Sequence, residues 1–140
     1  MRLGRVRIEV EVPFEASRSG SAILVRAVVN RRPAILVLDT GSAQTIVSPE
    51  LARLEAGDLG PSRFAAEGPG LEARGRWIEA TLEIGGRRFF RRTIAAIRLE
   101  EVSRALGGKI DGLLGQDLLR EFSQLTIDYR RRVVRFGARD

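Results

Sequence analysis

The sequence predicts a single domain of mostly β structure with two or three short helices. Three observations carry this reading. Short runs alternate apolar and charged residues with a period of two, as half-buried strands require. Turns bearing glycine, proline or asparagine separate these runs at short intervals. The chain has 140 residues, 44% of them hydrophobic and 30% charged. That suits one globular domain, 1–140, with a modest core. No linker, repeat or low-complexity segment interrupts it.

The elements follow in order. Val6, Ile8, Val10 and Val12 alternate with Arg7, Glu9 and Glu11, which is a strand with one apolar face. "AILVRAVV" at 22–29 is a second strand. The turn Asn30-Arg31-Arg32-Pro33 joins it to an apolar strand, Ala34 to Leu38, as a hairpin. Ser48 followed by Pro49 reads as a helix N-cap with proline at the first helical position. That helix is expected to run to about Leu54 and stop near Gly57, before a loop at 57–62. Residues 63–84 hold two strand-like runs around Gly68-Pro69-Gly70, and Ile78, Ala80, Leu82 and Ile84 share one face of the second. Gly85-Gly86 turns the chain into a strand at 87–97. One or two helical turns at 100–106 end at Gly107-Gly108. "IDGLLG" is an apolar stretch between glycines, and 116–122 reads as a helix with Leu118, Leu119 and Phe122 on one side. Residues 125–129 and 133–136 form a last hairpin.

Composition excludes much chemistry. The chain lacks cysteine and histidine, so a disulfide framework, a Cys/His zinc site and a Ser-His-Asp triad are all impossible. Carboxylates remain for acid–base work, and neither a metal nor a cofactor is expected. The net charge of +6 is carried almost entirely by arginine. "GRRFFRR" and "YRRRVVRF" look like basic patches, but no nucleic-acid motif accompanies them, so solvated strand faces are the preferred reading and no nucleic-acid partner is expected. No apolar run approaches the roughly 18 residues that span a bilayer. The N-terminus lacks the apolar block of a signal peptide, which leads to the expectation of a cytoplasmic protein.

One acid stands out. Asp39 follows the apolar strand 34–38 directly, and a Thr40-Gly41-Ser42 turn and a second apolar run, Thr45-Ile46-Val47, come after it. A bare Asp-Thr-Gly is an ordinary turn tripeptide. Between apolar flanks it places a carboxylate towards the interior, where it needs a partner or a task.

In this context two blocks, "LVLDTGSAQTIVS" and "IDGLLGQDLLREFSQLTIDY", resemble the signatures of retropepsin-like (retroviral-type) aspartic proteases, particularly bacterial ones. With the strand pattern between them, the resemblance covers about residues 20–136. It implies a closed, barrel-like acid-protease domain with one or two short helices, active as a homodimer with twofold symmetry. It implies that Asp39 is catalytic, pairing with Asp39 of a second copy to share one water and one proton while hydrolysing a peptide or protein substrate. Thr40, Gly41 and Ser42 would support the catalytic loop: Gly41 allows close approach of two backbones, and the Thr40 hydroxyl bonds across to the other subunit. Only one Asp-Thr-Gly is present, so the second acid must come from a second chain.

The resemblance further implies a flap, with Gly68, Pro69 and Gly70 as its candidate tip. Leu113 and Leu114 are candidate lining of a substrate pocket, although core packing is the simpler reading of both. Trp77 could line a pocket or pack in a strand pair. The terminal segments Arg5 to Val12 and Val133 to Phe136 are favoured for the dimer interface, because exposed strand edges there would otherwise lack partners. A Ser42 hydroxyl donating to Asp39 would favour the charged carboxylate and an acidic working pH; the competing arrangement bonds Ser42 to backbone in the turn. Two departures are visible. Retroviral enzymes often carry an acid at the position of Ala43 and an arginine at that of Gln116. The loss of both leaves no orphaned charge but leaves open how the loop is braced. A catalytically silent relative that binds peptides or dimerises is the alternative function, and an intact Asp39-Thr40-Gly41 argues against it.

Overall fold

The computed structural model describes residues 6–53, 63–65 and 72–139. Among these residues ten strands and two helices follow one another. They are β1 (Val6–Ala16), β2 (Ile23–Val29), β3 (Arg32–Leu38), β4 (Ile46–Val47), β5 (Arg63–Ala65), β6 (Glu72–Ile84), β7 (Arg87–Ile97), α1 (Glu100–Leu106), β8 (Gly112–Leu114), α2 (Gln116–Leu119), β9 (Gln124–Asp128) and β10 (Val133–Arg139).

The centre is a closed six-stranded barrel. Its strands run β2-β3-β8-β4-β7-β6, and β6 pairs back onto β2 through Val28–Glu83 and Val29–Leu82. Closure removes the sheet edges that would otherwise seek partners. β8 lies between β3 and β4, parallel to the first and antiparallel to the second. This threads the second sequence block directly beneath the first. Gly112 is required there: a Cβ on it would lie 2.4 Å from the Ile46 carbonyl oxygen.

The predicted hairpins form. Asn30 (φ 47°) and Arg31 (φ 69°) make a two-residue turn between β2 and β3, whose twist matches that of the strands. The Asn30 side chain accepts from the Thr81 N–H at 3.0 Å, which fixes this turn against β6. Gly85 and Gly86 make the equivalent turn between β6 and β7, with φ of 56° and 87°. β5 and β6 pair antiparallel, so the arms of the expected flap hairpin exist; its tip at 68–70 and the loop at 57–62 lie outside the described residues. α1 closes on Gly107 (φ 81°), with Gly107 and Gly108 N–H groups donating to the Arg104 and Ser103 carbonyls.

Three expectations are corrected. The helix after Ser48 does not develop through 49–53: Ser48 Oγ does accept from the Leu51 N–H, but Arg53 turns left-handed at φ 60°, and one turn is all that forms. The rest of that predicted helix lies outside the described residues. The second helix is shorter than 116–122, ending at Leu119, although Leu118 and Leu119 are buried and Phe122 packs on the core as expected. The terminal strands do not lack partners, since β1 and β10 pair with each other from Val6–Arg139 to Pro13–Val133, and β9 pairs β10 on the other side. The reason given for placing the dimer interface there therefore fails.

The core joins the barrel interior to this terminal sheet. Val10, Val12, Val134 and Phe136 from the terminal sheet meet Leu36, Val47, Leu82, Phe89, Ile94, Leu114 and Leu118. Each such side chain contributes roughly 1.5–3 kcal/mol on burial. Phe122 packs against Phe136 with its ring tilted by 41° and meets Phe89 edge-on. Arg87 caps this aromatic group, its guanidinium 5.2 Å from the Phe89 ring centre and 5.4 Å from that of Phe122. The arginines of "GRRFFRR" are largely paired with acids: Arg87 with Glu9 and Glu121, Arg88 with Glu83, Arg91 with Glu79, and Arg92 with Glu121. Among the described residues no helix is long and apolar enough to cross a membrane.

Candidate active site

Asp39 stands at the end of β3, where the strand leaves the barrel. Its N–H donates to the Leu114 carbonyl at 3.0 Å, the last ladder-like bond between β3 and β8. The chain then turns back, with the Ser42 N–H donating to the Asp39 carbonyl at 3.2 Å. The Gly41 N–H donates to Asp39 Oδ1 at 3.1 Å, so the turn itself fixes one carboxylate oxygen. Among the described residues no other group bonds to this carboxylate.

The acid is half-buried, while Thr40 and Gly41 are exposed. This corrects the expectation of an interior carboxylate. The apolar flanks belong to strands that enter the core on either side, but the turn between them projects from the protomer.

Ser42 is 6% exposed, and its hydroxyl donates to the Gln44 carbonyl at 2.8 Å. It does not touch the Asp39 carboxylate. Of the two arrangements anticipated, the structure adopts the backbone-bonded one, because the hydroxyl closes a local turn to a carbonyl two residues on. Ser42 holds the shape of the loop.

Beneath the turn lies a group of polar residues that sequence reasoning did not single out. Thr45 is fully buried; its Oγ1 accepts from the Gly115 N–H at 3.1 Å and donates to Asp117 Oδ1 at 2.6 Å. Asp117 also accepts from the Leu118 N–H at 2.9 Å. The N–H groups of Gln116 and Asp117 donate to the Ser42 and Ala43 carbonyls at 2.8 and 3.2 Å. The first turn of α2 thus sits against the Asp39 turn. Gly115 permits this contact, since a Cβ there would be 2.4 Å from the Gln44 carbonyl oxygen. An acid in the first turn of a predicted helix was the available signal for Asp117. Its partner Thr45 is distant in sequence and was not legible.

Asp111 is a second acid near β3, and its role is different. Its Oδ2 accepts from the Ile35 N–H at 2.8 Å, while its own N–H donates back to the Ile35 carbonyl at 2.8 Å. It extends the β3–β8 ladder.

The two expected pocket residues separate. Leu114 is 1% exposed inside the core, because neighbours along a strand face opposite sides of the sheet; this removes it from any surface pocket. Leu113 faces outward. Registered cross-strand pairs place Leu24, Val37, Leu113, Ile46, Ala95 and Trp77 in one row. This row lies on the side of the barrel away from the core cluster, immediately beside the Asp39 turn. Trp77 is 48% exposed at its far end.

No family model matches the sequence and no curated protein is similar to it. Solved structures are similar in fold. A retropepsin-like aspartic protease from Rickettsia conorii is 19% identical and superposes with a TM-score of 0.62, covering 99% of this chain and 97% of its own. The retroviral protease-like domain of Ddi1 from Leishmania major is 19% identical, with a TM-score of 0.54 over 85% of this chain and 94% of its own. EIAV protease complexed with the inhibitor HBY-793 is 16% identical, with a TM-score of 0.50 over 76% and 93%. The chain has the single-domain retropepsin-like fold.

Proposed function

We propose that this chain is an aspartic endopeptidase, assembled as a homodimer in which Asp39 of each copy supplies one of two catalytic carboxylates. The observation that carries this reading is the Asp39-Thr40-Gly41 turn, partly exposed at the end of a central strand of a retropepsin-like fold, with its carboxylate held, among the described residues, only by its own turn. Two carboxylates brought close cannot both ionise readily, so a shared proton leaves one as base and the other as acid, as in aspartic proteases generally. The base takes a proton from a water whose oxygen attacks the peptide carbonyl carbon. The acid delivers its proton to the carbonyl oxygen, giving a neutral gem-diol. The carboxyl that took the water proton then gives it to the amide nitrogen while the other carboxylate takes one from a gem-diol hydroxyl; the C–N bond breaks, acid and amine leave, and the pair again shares one proton.

A protomer holds one such acid, so the site requires a second copy on a twofold axis. Thr40 and Gly41 are the exposed part of the turn and would meet that copy; Gly41 admits the close approach. The second copy would also complete the desolvation of Asp39. The antiparallel pairing of β5 with β6 supports the reading that this part of the chain forms a flap. Leu113, with Val37 and Ile46 beside it, forms an apolar wall for substrate side chains.

An unbiased peptide library, assayed at several enzyme concentrations with and without a pepstatin-class inhibitor, tests the reading. Cleavage that the inhibitor blocks, with specific activity falling on dilution, is expected. A protein that cleaves nothing, or that works at full rate when light scattering shows a monomer, contradicts it.

A further inference from the structure

We propose that Gln116 is a positioning residue for the catalytic turn, a neutral brace that keeps the turn in place where a charged one would be weakened by acid or salt; this rests on the reading of Asp39 as the catalytic acid. Gln116 Nε2 donates to the Thr40 carbonyl at 2.6 Å, and its backbone N–H donates to the Ser42 carbonyl at 2.8 Å. One residue thus fixes two carbonyls of the four-residue turn that carries Asp39. Among the described residues no other side chain hydrogen-bonds to this turn from outside it.

The brace starts from a firm base. Gln116 is half-buried at the start of α2. Its carbonyl accepts from the Arg120 N–H at 3.0 Å, and the next residue, Asp117, is tied to buried Thr45. By contrast, Thr40 and Gly41 are exposed, so packing contributes little to their position. Fixing the reacting carboxylate depends on fixing this backbone.

The choice of an amide matters chemically. Ala43 offers no carboxylate to pair with, and Gln116 itself does not titrate. An amide-to-carbonyl bond carries no net charge on either side, so neither protonation of a carboxylate partner nor screening by salt removes it. The charged groups around the position are Asp39 in the turn, Asp117 on α2, Arg120 at its C-terminal cap, and Arg92 of β7, whose guanidinium feels the Asp117 charge. Asp117 is occupied by Thr45 and the Leu118 N–H.

The experiment compares Gln116→Met and Gln116→Glu with the unmodified protein, reading kcat and KM on one peptide across pH and the hydrogen-exchange protection factors of Gly41 and Ser42. Gln116→Met should lower kcat about fivefold at every pH with KM little changed, the size of one neutral hydrogen bond, and should reduce protection. Gln116→Glu should behave like the unmodified protein when its carboxyl is protonated and can donate. Above the ordinary glutamate range near about 4.3 its carboxylate would face the Thr40 carbonyl, so kcat and protection should fall together. A merely structural role would lower stability without creating this new pH limb. Unchanged kcat and protection in Gln116→Met, or a Gln116→Glu profile without the extra limb, overturns the proposal. If the unmodified protein cleaves no peptide, the endopeptidase reading fails instead, and the protection factors alone decide the brace by the same pattern.

Discussion

Asp39 and Asp111 both contact β3, yet their carboxylates are used in opposite ways. Asp111 accepts the Ile35 N–H through Oδ2, donates its own N–H to the Ile35 carbonyl, and offers its carbonyl to the Ser48 N–H, each at 2.8 Å. It ties together three segments of the barrel. Among the described residues the Asp39 carboxylate accepts one hydrogen bond, from Gly41 two residues on. The difference lies in the backbone around them. Asp111 precedes a glycine that enters a ladder between two strands, while Asp39 precedes a turn that leaves the barrel. An acid whose oxygen is committed to the ladder stabilises the fold, and an acid that, among the described residues, is held by its own turn alone is available for the role proposed above.

The largest expected effect tests the support shared by both regions. In Gly115→Ala the new Cβ would lie 2.4 Å from the Gln44 carbonyl oxygen and 2.9 Å from that of Ser42. Backbone atoms yield little, so a loss of about 3 kcal/mol is expected. Urea denaturation checks this, and a loss of a few tenths would show that the Asp39 turn and α2 are not locked together.

Asp111→Ala should cost about 2 kcal/mol, because it strands the Ile35 N–H inside a ladder. Activity per folded molecule should be kept. A variant as stable as the unmodified protein would erase the contrast between the two acids.

Ser42→Ala should cost about 1 kcal/mol through the lost bond to the Gln44 carbonyl, with the pH–rate profile unmoved. A displaced profile would mean that the hydroxyl reaches Asp39 in the working dimer, and the turn would then differ from the one described.

The smallest effect concerns Asp128, an acid that, like Asp111, is half-buried and used by the fold. The Arg131 N–H, and after it the Arg135 guanidinium, hold its carboxyl below the ordinary 3.8. A depressed acid contributes stability that is fully present above its unfolded value and is lost as pH falls through the lower folded one. Urea midpoints measured from about pH 5 to about pH 2 should therefore fall less steeply in Asp128→Asn; an identical acid limb would remove Asp128 from the account.

What was legible in the sequence follows the range of the interactions. The β2–β3 and β6–β7 turns were readable because Asn30-Arg31 and Gly85-Gly86 settle them locally. The same holds for the closure of α1 on Gly107-Gly108. Asp39 could be located but its partial exposure could not, since apolar neighbours on both sides suggested burial. The Ser42 bond was one of two local options that sequence cannot rank. The short turn after Ser48 was missed because nothing in Arg53 announces a left-handed backbone. Contacts distant in sequence were invisible: Thr45 with Asp117, Ile35 with Asp111, and β1 with β10. Even so, the two blocks that β8 draws together were the two that the sequence marked.

The central claim is that the Asp39 carboxylate serves chemistry and contributes little to the fold. Asp39→Asn tests it directly, because asparagine keeps the size and can still accept from the Gly41 N–H but cannot act as the base. Peptide cleavage and the urea midpoint should be measured on the same preparation. Loss of cleavage with an unchanged midpoint is the result expected; substantial residual cleavage, or a large drop in stability, would contradict the account.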